Sequence, residues 1–148
     1  MKKFSYRMEN ILRIQTQLEE QQKIQFAIAN NKLEEERHRL VMLTVRKRKY
    51  ERALTDLLKD TLDLRKINEY KHAINVMKSN IRDQMLEVAK AEKQVERERE
   101  KLNELRAERK THEKLKEYAF EEYKVEFARE ESREIDQTVT YNYSTRAN

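Results

Sequence analysis

Three histidines, His38, His72 and His112, and 28 carboxylates are the side chains that could exchange protons near neutral pH. The histidines stand far apart, and none has the i, i+4 partnership with Glu that places two zinc ligands on one helix face. Each reads as a histidine at or beside a helical seam. The carboxylates lack the apolar enclosure that would raise a pKa for acid–base work. Gly and Cys are both absent, so phosphate-cradling glycine loops, thiol nucleophiles, disulfides and thiolate metal sites are excluded. No cofactor and no enzymatic activity are expected.

The sharpest charged motif is Arg46-Lys47-Arg48-Lys49. Such a run can be a solvated face, a contact for an acidic protein, or a phosphate-binding patch rewarded by counterion release. It has no interleaved aromatics and no groove-reading module, so nucleic acid is not expected as a partner. Glu34-Glu35-Glu36 and the Glu/Arg weave from Glu92 to Glu108 read as solvated flanks held by i, i+4 pairs.

The element that must carry these residues is a heptad seam. Ile67, Ile74, Ile81, Val88, Val95 and Leu102 recur every seventh residue, followed three residues later by Tyr70, Met77, Gln84, Ala91, Glu98 and Leu105. A stripe with a 3.5-residue period keeps facing a partner helix only if both supercoil. Gln84 and Glu98 interrupt the second register.

A chain of 148 residues with no Gly, no Pro, 41% charged and 7% aromatic side chains lacks the turn chemistry and bulk of a many-turned globule. It reads as one elongated domain. The stripe Phe4, Met8, Ile11, Ile14, Leu18 predicts a first helix over about 5–54, capped by Ser5. After Leu18 come Gln21, Gln22 and Gln25, and the apolar pattern resumes at Ile28, Leu33, Leu40, Leu43 and Val45 in shifted registers, which predicts stutters. Thr55-Asp56, Asp60-Thr61 and Asp63 predict a reversal over about 55–65. A second helix is expected over about 66–136, followed by a frayed tail, 137–148.

With the turn near residue 60, facing residues should have numbers summing to about 120, which sets Phe4 opposite about residue 116. The second helix then overhangs at the terminal end for roughly 30 Å, carrying Tyr118, Phe120, Tyr123, Val125, Phe127 and Ile135. Unpaired apolar surface on a charged helix predicts a binding surface. The fold class is all-α: two long helices in an antiparallel coiled-coil hairpin, the second longer.

Charge is uneven. Residues 1–55 hold 13 basic and 7 acidic side chains, and residues 67–148 hold 17 and 18, so the net +5 arises in the first arm. No apolar run has the length of a bilayer span and no signal-peptide core follows Met1-Lys2-Lys3, so a cytosolic protein is expected.

The opening Met1-Lys2-Lys3-Phe4-Ser5-Tyr6-Arg7-Met8-Glu9-Asn10-Ile11-Leu12-Arg13-Ile14 resembles that of the FliJ family of bacterial flagellar export proteins. The likeness continues through the mid-chain break, Tyr70 with Ile74, Met77, Ile81 and Gln84, and the charged end near Arg133-Glu134-Ile135-Asp136; Gln137 stands where family members often have a second acid. The resemblance implies a stalk in the central hole of the hexameric flagellar export ATPase, with contacts to the membrane-embedded export gate protein and to export chaperones. It implies a cytoplasmic protein, peripheral at the inner membrane through its partners. The ring contact maps to Tyr118, Phe120, Tyr123 and Phe127, and the gate contact to Ala73, Met77, Asn80 and Gln84. The stalk of a virulence secretion system, a structural coiled-coil dimer and a nucleic-acid-binding helix pair are the rival readings.

Overall fold

The computed structural model describes residues 2–60 and 63–147. These form two helices, α1 (Glu9–Asp60) and α2 (Leu64–Ala147), with no strand among the described residues. The helices pack antiparallel along their seams. Contacts divide the chain into two compact units, Met1–Glu20 with Asn103–Asn148, and Gln21–Leu102.

In the Gln21–Leu102 unit, Ile67, Ile74, Met77, Ala91, Val95 and Leu102 are buried, as the heptad requires. They meet an unbroken 3-4 alternation on α1: Gln22, Phe26, Ala29, Leu33, Glu36, Leu40, Leu43, Lys47, Tyr50, Leu54 and Leu57 are all buried or half-buried. The predicted stutters are therefore absent here. Ile28 and Val45, which suggested them, face solvent at 55% and 38% exposure. The register runs instead through small Ala29 and polar Gln22 and Glu36, which hydropathy alone passes over.

The centre of this unit is a small core of Ala29, Leu33, Ala91 and Val95, flanked by Phe26 and Val88. Its two helices correspond at a constant offset: Gln22/Gln84, Phe26/Val88, Ala29/Ala91, Leu33/Val95, Glu36/Glu98 and Leu40/Leu102. The seam thus has a local pseudo-twofold. Its polar layers obey it, since Gln22 donates from its amide to the main-chain oxygen of Glu98 at 3.0 Å, and Gln84 donates likewise to that of Glu36 at 2.9 Å. Each amide also bonds the carboxylate of the same glutamate. Facing pairs Gln22–Glu98, Glu36–Gln84 and Tyr50–Tyr70 have numbers adding to 120, as expected.

The helix ends differ from the sequence reading. Thr55 and Asp56 lie inside α1, where the Thr55 hydroxyl donates back to the Glu51 carbonyl at 2.9 Å and so leaves the helix unbroken. The interruption narrows to the stretch between Asp60 and Leu64, and Thr61, part of the predicted reversal, lies outside the described residues. Asp63 caps α2: its carboxylate accepts the Arg65 and Lys66 amides at 3.2 and 3.4 Å, and its carbonyl the Ile67 amide.

In the Met1–Glu20 and Asn103–Asn148 unit, Leu12, Gln15 and Glu19 of α1 meet Leu105, Arg109, His112, Lys116, Ala119 and Tyr123 of α2, all buried or half-buried. Residues 2–6 are not helical, so Ser5 is not the cap; the Met8 carbonyl accepts the Ile11 and Leu12 amides instead. α2 continues to Ala147 through the segment expected to fray. Its threonines Thr138, Thr140 and Thr145 turn their hydroxyls onto carbonyls four residues back, which satisfies them without leaving the helix.

Candidate functional site

The terminal aromatic cluster forms where the extended residues 2–6 lie along α2. An extended chain covers about 3.3 Å per residue against 1.5 Å in a helix, so Phe4 reaches past the expected position 116. Its ring meets Phe120 edge-on at 5.0 Å between centroids and Tyr123 at 5.4 Å. The Tyr123 hydroxyl donates to the Lys2 carbonyl at 2.9 Å. Phe127 continues the row 6.1 Å from Tyr123, and the Lys124 ammonium sits 4.8 Å over the Phe120 ring. α2 is thus covered as far as Tyr123, and its overhang begins later than expected.

Tyr118 stands apart from this row, 65% exposed. Beyond Glu130 every described side chain is exposed, including Ile135, Val139, Tyr141 and Tyr143. Sequence reasoning missed Phe4 as part of the cluster, because its spacing to Met8 and Ile11 matched a helical stripe. A shallow cleft beside it is lined by Phe4, Leu12, Glu113, Lys116, Glu117 and Phe120.

An ionic layer closes the same unit. Glu19, 3% exposed, is held by Arg109, which bonds both its carboxylate oxygens, and by Arg106 at 3.5 Å. Bonds to Glu19 first and to Glu113 second raise the Arg109 pKa further above its ordinary value. The ion pair Lys116–Glu9 at 2.9 Å adds a rung nearer the α1 start. This layer carried no signal in apolar periodicity; it was legible only as acid and base at matching seam positions.

The residues mapped to the gate divide. Met77 is buried and Gln84 points into the seam at Glu36, whereas Ala73 is half-buried and Asn80 exposed. Ala73 and Asn80, seven apart, share one flank of α2. Of the basic cluster, Arg46, Arg48 and Lys49 are exposed, while Lys47 occupies a seam position and pairs with Glu51 at 3.4 Å. His112 lies in the seam with Nδ1 buried and without a hydrogen-bond partner among the described residues, and His38 and His72 are exposed. Among the described residues, no group of three or more His, Asp or Glu is placed to hold a metal ion. What the two units offer is surface for contact.

The sequence matches the family described as "Flagellar FliJ protein" over residues 4–148. The chain belongs to the flagellar FliJ family. It is a component of flagellar type III protein export, and its partners lie among the proteins of that apparatus. No curated protein and no solved structure matches it. Among the described residues of this FliJ family member, no helix is long and apolar enough to cross a membrane.

Proposed function

We propose that the chain is a non-enzymatic stalk for the hexameric flagellar export ATPase, linking that ring at the cytoplasmic membrane face to the export gate and receiving export chaperones. The observation that carries this reading is α2 itself. It continues for some twenty residues beyond Tyr123 as an exposed helix bearing Ile135, Val139, Tyr141 and Tyr143, and apolar surface of that kind needs a partner. A single asymmetric helix end placed in a sixfold ring gives each subunit a different face to touch. Contacts that differ among subunits bias them toward different nucleotide states.

Ring contact is assigned to Tyr118, Phe120, Tyr123 and Phe127, with Phe120 and Tyr123 presented as one surface together with Phe4. Gate contact is assigned to the flank carrying Ala73 and Asn80, shaped from within the seam by Met77 and Gln84. The test is stimulation of the export ATPase by the purified chain. Replacing Tyr118 and Phe127 by Ala, which leaves the Phe4 contacts in place, should abolish stimulation while helicity by circular dichroism is unchanged. Full stimulation by that variant overturns the ring assignment.

A further inference from the structure

The basic cluster lies outside the proposed ring and gate contacts, and its surroundings are unlike the rest of the chain. Over residues 37–60 and 63–83, all within the Gln21–Leu102 unit, there are 13 Lys and Arg against 6 Asp and Glu, a local net of +7 in a chain whose total is +5. Some helix cations elsewhere pair with carboxylates, as in Lys90–Glu87, Arg99–Glu96 and Arg109–Glu113. Arg46, Arg48, Lys49 and Arg52 are exposed and form no ion pair among the described residues.

Helical geometry gathers these cations with apolar groups. Because Leu43, Lys47 and Tyr50 point into the seam, the 3.6-residue period turns His38, Val45 and Arg52 to the opposite side. Val41 and Arg48 lie along one edge of that strip, and Met42 and Lys49 along the other. Val41, Met42 and Val45 are 56%, 53% and 38% exposed. The charged groups facing this strip are His38, Glu34 and Glu35 at its start, with Glu34 paired to Arg37, then Arg48, Lys49 and Arg52 within it, and Asp56 at its end; Glu51 is held by Lys47.

We propose that this outward face of α1, from His38 to Arg52, adsorbs to an anionic phospholipid surface. Long unpaired cations beside exposed aliphatic side chains are the composition that binds a membrane interface. The cations meet headgroup phosphates and the aliphatic groups enter the boundary beneath. An acidic protein is the competing occupant, and against it stands the mixture of three cations without an ion pair among the described residues, Arg48, Lys49 and Arg52, with three exposed aliphatic side chains on one face. A lipid surface requires only net charge and apolar area. The adsorption is peripheral and independent of the export reading.

The test is flotation of the purified chain with vesicles of phosphatidylethanolamine and phosphatidylglycerol, against vesicles of phosphatidylcholine alone, at about 0.1 M salt, where the screening length is about 10 Å. The chain should float with the anionic vesicles only. Replacing Arg48, Lys49 and Arg52 by Gln should lower partitioning on the order of a hundredfold, from roughly fivefold per cation near an anionic surface. Replacing Val41, Met42 and Val45 by Gln should also lower it, and replacing Lys110 and Lys114 by Gln should not. All six substituted positions of the strip are exposed, so helicity by circular dichroism should be retained. The proposal is overturned by no flotation, by equal flotation with phosphatidylcholine, or by undiminished binding of either triple variant. It is also overturned if soluble polyglutamate competes as strongly as the vesicles, since the face would then serve an acidic protein.

Discussion

Gln22 of α1 and Glu98 of α2 lock across the seam, the amide giving one proton to the glutamate main-chain oxygen and one to its carboxylate. Glu98 is 8% exposed, so it relies on this bond, on Gln94 at 2.8 Å and on Lys101 at 3.7 Å. Replacing Gln22 by Leu should cost about 1–3 kcal/mol, because it takes the cross-helix donor from a buried carboxylate and leaves it only Gln94 and Lys101. Converting Glu98 to Leu in the same chain should recover most of that loss, since an apolar layer needs no partner. Urea unfolding of the single and double variants measures both.

The equivalent layer at Glu36 carries a pH dependence. Lys32, whose ammonium lies at 2.9 Å, and then the Gln84 amide hold the Glu36 carboxyl below its ordinary 4.5. A lowered folded-state pKa contributes stability that is complete above the unfolded value and is lost as pH falls through the folded one. Urea midpoints of the wild type and of Glu36→Gln, followed from neutral pH into the acid range below 4.5, should converge. Parallel curves would remove Glu36 from the acid response.

Asp63 sets the start of α2. Asp63→Ala frees the Arg65 and Lys66 amides and should cost about 1 kcal/mol, the usual worth of an N-cap. Asp63→Asn should retain most of it. Faster amide exchange confined to the first turn of α2 would locate the effect.

Phe4 fastens the non-helical residues 2–6 to α2. Phe4→Ala should cost about 1–2 kcal/mol, less than the 3–5 of a fully buried Phe, because its ring is only half-buried. Tyr123→Phe removes just the bond to the Lys2 carbonyl and should cost about 0.5–1 kcal/mol. In both variants early proteolysis should appear before Met8 and leave the Gln21–Leu102 unit intact.

The α2 half of the fold was legible because Ile67, Ile74, Val95 and Leu102 are both apolar and seven apart, and burial follows them. The α1 half was not, because its seam contains Gln22, Glu36 and Lys47 while Ile14, Leu18, Ile28 and Val45 stay at the surface. Hydropathy weighs a side chain by itself, whereas Gln84 and Glu98, which looked like flaws, are satisfied only by residues on the other helix. The threonines misled for a related reason. A threonine hydroxyl that can compete with the helix can also serve it, as Thr55 does in the expected reversal and Thr138 in the expected frayed tail, each bonding a carbonyl four residues back. Of the candidate site, the row Phe120, Tyr123 and Phe127 was visible as aromatic density, and its covering ring Phe4 was hidden by a spacing that a helix would also give.

The matching of Gln22, Ala29 and Glu36 with Gln84, Ala91 and Glu98 leaves the middle of the seam without an arrow. Turned end for end, it presents the same sequence of layers. Direction must therefore be written on the outside, where Ile28 on one helix is answered by Lys90 on the other and Glu35 by Arg97. A protein that grips this unit can tell which way it points only by reading those unequal surfaces.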